Sequence, residues 1–400
     1  MRIVYATQEF PPEWTGAIFL VGPTPRSDNP VPSWRPQAIA YLEEAGYDGI
    51  VIVPETEDGE WKHGYDDQVE WEKKGLEFAD IILCWVPRDL DSMPAFTTNV
   101  EFGRSVDGMK VVYGRPPDAP KTRYLDWMLA DATEGTNKPH DSLQATVAAA
   151  MERIGQGAMR SDGERYVPLH VWNTQMFQDW YKAQVAVGNR LDEAKLLWQF
   201  RIHKIGLTFA TVLWVKVWIE SENRHKENEF IFSRPDISSV VLWAHGPRAG
   251  LGGELSNVLD TEIILVREFR SPVRNAAGFV YEVAGGSSFK PNKDPFEVAS
   301  SEVHEETGII VPPDRFQKIA SRQIAATLST HQSHLFAAQL SRAEMDQAKA
   351  LASAGEAHGV EEDSERTYVE VSTVREALSK ELLDWSMVGM ILQALINPPS

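Results

Sequence analysis

Short apolar runs alternate with longer amphipathic ones through the first ~150 residues, and this alternation is the tightest constraint in the chain. "AIFLVG" (17–22), "GIVIVP" (49–54), "DIILCWVP" (80–87) and "KVVYG" (110–114) hold almost no polar residues, as strands buried on both faces do. The segments "SWRPQAIAYLEEAG" (33–46), "DQVEWEKKGLEFA" (67–79), "TTNVEFGRSVDG" (97–108) and "LQATVAAAMERIG" (143–155) read as helices. Ser33 is a candidate N-cap, Gly46 a stop, and threonines open the third of these helices. Strands separated by helices predict a parallel sheet covered on both faces. Ligands of such sheets gather at the carboxyl ends of the strands.

The pattern then changes. "GQGAMRSDGER" is glycine-rich and poor in apolar residues, and reads as a linker. The Trp-rich stretch 171–200 reads as a helical docking or dimer segment, so 156–200 is expected to be a connector. From residue 201 the runs "LTFATVLWVKVWI" (207–219), "SSVVLWAHG" (238–246), "TEIILVREF" (261–269), "GFVYEVAGG" (278–286), "SHLFAAQL" (333–340) and "RTYVEVS" (366–372) are β-rich. An acidic helix interrupts them, and "SMVGMILQALI" (386–396) reads as a last helix, so a second, mixed domain is expected over 201–400.

Composition narrows the function. With 58 acidic against 39 basic residues the net charge is -19, which argues against general binding to nucleic acid or an anionic membrane. The single cysteine, Cys84, excludes an internal disulfide framework and a multi-cysteine zinc site, and in an apolar strand it reads as a buried, inert thiol. "MRIVYATQEF" lacks a basic-then-apolar leader pattern, and 207–219 is too short to span a bilayer. A cytoplasmic protein is the expectation.

The acidic helix carries the most specific pattern. Glu302, Glu305 and Glu306 lie at spacings that put three carboxylates on one face, where they repel unless a cation joins them. "GGSSFKPNKDPFEVASSEVHEETGI" (285–309) resembles the Nudix box, G-x5-E-x7-R-E-U-x-E-E-x-G-U, with Glu302, Val303, Glu305, Glu306, Gly308 and Ile309 in register. "ILVREFRSPVRN…YEVAGG" and "GVEEDSERTYVEVSTVREAL" (359–378) are similar to the ADP-sugar pyrophosphatase branch. The resemblance implies a Nudix α/β/α sandwich, a Mg²⁺ or Mn²⁺ cofactor on Glu302, Glu305, Glu306 and Glu365, and Asp363 as general base with Glu362 as its understudy. Arg267 and Arg270 are candidate nucleotide contacts. The box arginine is Ser301 here, and the first box glutamate is Lys293.

"FLVGPTPR" (19–26), "YDDQVEWE" (65–72), "ADIILCWVPRD" (79–89) and "FTTNVEFGRSVDGMKVV" (96–112), in that order, resemble the nucleoside 2-deoxyribosyltransferase family. The resemblance implies a flavodoxin/Rossmann-like domain over 1–155 with Glu101 as nucleophile at the anomeric carbon. Asp66 or Asp67 would serve the base, and Gly22 and Pro23 would line the pocket. Arg26, Thr97, Thr98 and Asn99 would meet substrate. The family's aspartate just before the nucleophile is absent, with only Asp91 near. His331 and His334 in "STHQSH" have metal-like spacing but read as surface or substrate contacts.

The expected function is nucleotide metabolism: hydrolysis of a nucleoside diphosphate linked to a second moiety, ADP-ribose-like, with N-glycosidic cleavage or transfer by the first domain. The expected partner is a small nucleotide, with no nucleic acid or membrane, and the expected assembly a homodimer. The alternative is a nucleotide sensor without turnover.

Overall fold

Strands that carry no polar face need cover on both sides, and the first half of the chain supplies it. The computed structural model describes residues 1–25, 31–57, 64–246, 254–275, 277–287, 293–359, 365–379 and 383–396. It divides into two compact units, Met1–Phe232 and Ser233–Ser400. In the first, β1 (Arg2–Tyr5), β2 (Ala17–Val21), β3 (Ile50–Val53), β4 (Ile81–Trp85) and β5 (Val111–Gly114) form a sheet in the order β1–β3–β2–β4–β5. All its pairings are parallel. Five helices follow the strands: α1 (Arg35–Glu44), α2 (Tyr65–Phe78), α3 (Phe96–Ser105), α4 (Arg123–Ala132) and α5 (Leu143–Ile154). Successive strand residues point to opposite faces. Phe19, Ile52 and Ile82 therefore pack with Trp71, Phe78, Phe102 and Leu125 on one side. Ile18, Leu20, Val51 and Leu83 pack with Leu42, Val147 and Ala150 on the other.

The glycine-rich stretch after α5 is not the linker that its composition suggests. Arg160–Ser161 pairs antiparallel with Glu13–Trp14, and Gly157, at φ +63°, lies so close to Thr15 that a Cβ would sit 2.4 Å from its carbonyl oxygen. Arg160 is fully buried against Asp80. Asp80 Oδ1 accepts from Arg160 Nη1 at 2.9 Å and from the Leu169 amide at 3.0 Å. Its Oδ2 accepts from Arg160 Nη2 and, at 2.9 Å, from the Ala17 amide. One carboxylate thus ties β2, β4 and the chain beyond α5.

The helical reading of 171–200 holds only to Ala186. α6 (Leu169–Trp172) and α7 (Gln175–Ala186) are followed by Gly188 at φ +83°, which turns the chain into β6 (Arg190–Ile202). β6, β7 (Leu207–Ile219) and β8 (Arg224–Ser233) form a three-stranded sheet with β7 in the centre. Leu213, Val215 and Val217 face Val171, Trp172 and Phe177, while Lys216 between them pairs with Glu193 at 3.3 Å. This is period two, not 3.6. The 207–219 strand consequently belongs to the first unit, and the boundary lies at 232/233 instead of 200/201.

In the second unit β9 (Ile237–Ala244), α8 (Glu254–Leu259), β10 (Glu262–Phe269), β11 (Phe279–Glu282), β12 (Ala284–Gly286), α9 (Pro295–Thr307), β13 (Gln317–Gln323), β14 (Gln332–Gln339), α10 (Arg342–Ala354), β15 (Ala357–His358), β16 (Thr367–Thr373), α11 (Val374–Ser379) and α12 (Trp385–Ile396) follow in order. The mixed sheet runs β13–β14–β9–β10–β16–β15, with β11 beside β10 and β12 beside β9. Val240, Leu242 and Phe336 pack under α9 and α10 through Ala299, Val303, Met345 and Ala348. Val241, Trp243 and Leu335 pack on α11 and α12 through Val374, Met387 and Ile391. The layers are helix, sheet, helix. Among the described residues no helix is long and apolar enough to cross a membrane.

Arg160→Met would leave Asp80 charged, buried and unpaired. We expect it to destabilise the first unit by about 3–5 kcal/mol, read as a lowered midpoint in urea unfolding. An unchanged midpoint would remove Asp80–Arg160 as the anchor of this unit.

Candidate functional site

From β2 the chain crosses to β3 on one side and then returns past β2 to β4 on the other. The order reverses between β2 and β4, the switch point at whose carboxyl ends sheets of this kind form their ligand crevice. Gly22 sits there, with so little room that a Cβ would lie 2.3 Å from the Trp85 oxygen and 2.6 Å from the Trp34 ring. The Pro23 carbonyl accepts from Trp34 Nε1 at 3.2 Å. Arg35, at the start of α1 and buried, fixes this turn by donating to Leu20 O at 3.1 Å and Gly22 O at 2.7 Å. It also pairs with Glu55 at 2.6 Å. Ser33 is not the N-cap of α1: Trp34 holds that position, and the Ser33 hydroxyl donates to the Glu55 carboxylate at 2.9 Å. Arg26 lies outside the described residues.

α3 begins at Phe96, behind Ala95 at φ +61°, so Thr97, Thr98 and Asn99 lie in its first turn and Glu101 in its second, not at its start. Thr98 is buried, whereas Thr97 and Asn99 are exposed, Asn99 accepting from Arg88. Phe102 is fully buried, edge-on to Tyr113 with ring centroids 5.0 Å apart, and it sets the rotation of the helix. The Glu101 carboxyl is pushed up to about 7, by burial first and then by the like charge of Glu72, with Arg35 opposing. Asp66 and Asp67 stand exposed in the first turn of α2, where Asp67 accepts from the Gly64 amide at 3.2 Å. The acid coupled to Glu101 is therefore Glu72, further along the same helix. Its phase was available: Trp71, Gly75 and Phe78 form the buried stripe of α2, and Glu72 flanks it. Cys84 is buried, and burial raises its thiol far above the usual range, which keeps it inert.

In the second unit α9 is capped by Asp294, which accepts from the Phe296 amide at 3.0 Å, and stopped by Gly308 at φ +69°. Glu306 is buried and accepts from the Gly285 amide at 2.9 Å. Glu302 lies over Gly286, where a Cβ would be 2.5 Å from its carboxylate. Glu305 is exposed. Burial, then Glu305 and Glu365, push Glu302 up to about 7, against Lys293 and Arg234. Glu306 is raised well above the carboxylate range by burial, with Glu302, Glu365 and Glu268 adding to it and the Gly285 amide opposing. Glu268 on β10, which the sequence reading passed over, joins the same field. Burial raises it to about 7 although Arg270 pairs with it at 2.8 Å. Arg270 also reaches Glu282 at 3.4 Å. Arg267 is held between the Phe279 and Tyr368 rings and pairs with Glu370 at 3.3 Å.

The two departures from the box touch each other. Lys293 Nζ donates to Ser301 Oγ at 3.1 Å, and Ser301 donates to Glu297 O at 3.0 Å. Glu362 and Asp363 lie outside the described residues. Among the described residues no three acids or histidines converge closely enough to hold a metal ion. The donor set is nonetheless all carboxylate, the chemistry a hard dication selects. His334 is engaged by Ser321 at 2.8 Å and Asp236 at 3.4 Å, and His331 by Ser329.

Residues 15–119 match the family model described as nucleoside 2-deoxyribosyltransferase like. The first unit carries a nucleoside 2-deoxyribosyltransferase-like domain. The matched span contains Gly22, Arg35, Glu55, Glu72 and Glu101, the residues that frame the crevice, and it points to nucleoside chemistry. No curated protein matches the chain.

A carboxyl whose folded pKa is raised costs stability as pH climbs from its unfolded value to its folded one. Glu101→Gln should therefore stabilise the first unit at pH 8, with the gain fading through pH 7 and gone by about pH 4. Urea unfolding at a series of pH values measures this, and a gain independent of pH would show that Glu101 ionises normally.

Proposed function

We propose that the protein is an enzyme of nucleotide metabolism with one site in each unit. In the first, Glu101 attacks the anomeric carbon of a deoxynucleoside or its phosphate. The C1′–O bond to Glu101 forms as the C1′–N bond breaks, and the departing base takes a proton from an acid. Glu72 is better placed for that acid than Asp66 or Asp67. Water, or a second base, then takes the sugar from Glu101. The observation that carries this reading is the coupling of Glu101 to Glu72 beside the Gly22 turn, inside the span matched by the family model.

In the second unit the acidic cluster supports hydrolysis of a nucleoside diphosphate linked to another moiety, ADP-ribose-like. Glu302, Glu306 and Glu365, with Glu305 at the rim, would hold Mg²⁺ or Mn²⁺. Such an ion polarises the phosphorus centre and lowers the pKa of bound water. The support is electrostatic: buried carboxylates that raise one another are what a dication relieves. Asp363 as base, with Glu362 as its understudy, rests on the resemblance alone. Arg270, already beside Glu268 and Glu282, is the nearer of the two arginine candidates to the acids.

A second reading, a nucleotide sensor without turnover, is favoured by Ser301 in place of the arginine and by the unconverged carboxylates among the described residues. ADP-ribose binding with Ca²⁺ present, but no product with Mg²⁺, would select it.

Glu101→Ala should abolish base release from a deoxynucleotide pool and leave ADP-ribose hydrolysis intact. Glu302→Gln should do the reverse, lowering hydrolysis by about 100-fold or more, beyond the ~10–100-fold usual for losses behind the ligands. Mass spectrometry of both product sets separates the assignments, and either variant with unchanged products sinks its site.

Base release should also rise with pH through about 7, as Glu101 ionises. In Glu72→Gln base release should fall, because the acid is gone, and the rise that remains should move to lower pH, because a like charge is gone. A profile that stays in place would uncouple Glu72 from the nucleophile.

A further inference from the structure

A cavity of about 380 Å³ lies in the first unit, away from the Gly22 crevice. Lys110 precedes β5 and Ile82 stands near the start of β4, so the cavity opens at the amino ends of the strands, opposite Gly22 and Trp85. Its wall brings together Lys73, Arg104, Lys110 and Lys195, and the rings of Tyr166 and Trp214. In a chain with 58 acids against 39 bases, cations are expected to find carboxylates. Among the described residues none of these four makes an ion pair. The two acids in the wall form no ion pair with these cations: the Glu193 carboxylate is taken by Lys216 at 3.3 Å, and Glu77 bonds Lys110 through its backbone oxygen at 2.9 Å, its carboxylate, like that of Asp80, attracting Lys110 only from a distance. An ammonium has three donors, and Lys110 uses one. Burial also draws its pKa down to about 8, so a fraction of the amine is neutral near physiological pH.

Both rings are held in place. Trp214 Nε1 donates to Glu227 O at 2.8 Å, and Tyr166 packs on Phe78 with centroids 4.6 Å apart. Fixed rings beside unpaired cations match a ligand with a flat ring and an anionic group.

We propose that this cavity is a second binding site, for a small phosphate ester that carries an aromatic or heteroaromatic ring. Arg104 and Lys195 take the phosphate, with Lys110 beside it and Lys73 at the rim, and the ring lies against Trp214 or Tyr166. The site is separate from both proposed activities, and its test uses neither.

Pyridoxal 5′-phosphate is a suitable probe on the full chain. Neutral Lys110 Nζ adds to the aldehyde carbon, water leaves to give an imine, and borohydride delivers hydride to that carbon to fix a secondary amine. Peptide mass mapping then locates the label. We expect Lys110 to be the dominant site, with labelling cut at least tenfold by excess phenyl phosphate. The same loss is expected when pyridoxal, which lacks the phosphate, replaces the probe, and in Arg104→Ala/Lys195→Ala. Label spread evenly over surface lysines would overturn the proposal, as would Lys110 labelling indifferent to phenyl phosphate or to the double substitution.

Discussion

The first unit depends on one buried ion pair. Arg160 and Asp80 are both removed from water, a cost that Coulomb attraction repays only if the remaining donors and acceptors are satisfied. Here the Asp80 carboxylate also takes the Ala17 and Leu169 amides, and Arg160 donates to Val167 O at 2.8 Å. Those backbone groups come from two distant parts of the chain. Ala17 opens β2, Asp80 precedes β4, and Val167 and Leu169 lead into the helices that carry the β6–β8 sheet. The pair therefore joins that sheet to the parallel one, and the wall of the cationic cavity, drawn from both, depends on the join.

Both candidate sites follow from the opposite condition, carboxylates buried without enough cations. Glu101 faces Glu72 with Arg35 as the counter-charge, but Arg35 is already committed to Glu55 and to two backbone oxygens. In the second unit Glu302, Glu306 and Glu268 raise one another or share Glu365, and Arg270 is divided between two acids. A fold tolerates such arrangements only where surrounding packing over-determines them. Phe102 against Tyr113 does this for α3, and Ala299 and Val303 in the sheet core do it for α9.

What the sequence revealed was set by how locally each feature is encoded. Runs such as "AIFLV" and "IILCW" are strands whatever surrounds them, and the parallel sheet follows from their spacing. The Trp-rich region misled because Trp and Leu mix helical and alternating periods until Gly188 is known to take a positive φ. Arg160 looked like a linker residue because its partner is Asp80, far back in the chain. The same distance hid Glu72 and Glu268: a carboxylate's neighbours depend on which face its element presents, and that is decided by packing. Asp66 and Asp67 stand in the "YDD" stretch that the family resemblance singles out, yet acids at a helix start are what the helix dipole favours without any chemistry.

Lys293 and Ser301 are the two positions at which the acidic helix departs from the pattern it resembles. Ser301 stands where that pattern has an arginine, and Lys293 where it has a glutamate. In space the residues at these positions meet, Nζ to Oγ at 3.1 Å, and the Lys293 charge works against the raised pKa of Glu302. This positive charge comes from the segment that leads into the helix, not from the helix itself. Lys293 stands just ahead of Asp294, the N-cap of α9. A cation therefore acts on Glu302, without the planar, bidentate bracing that a guanidinium gives.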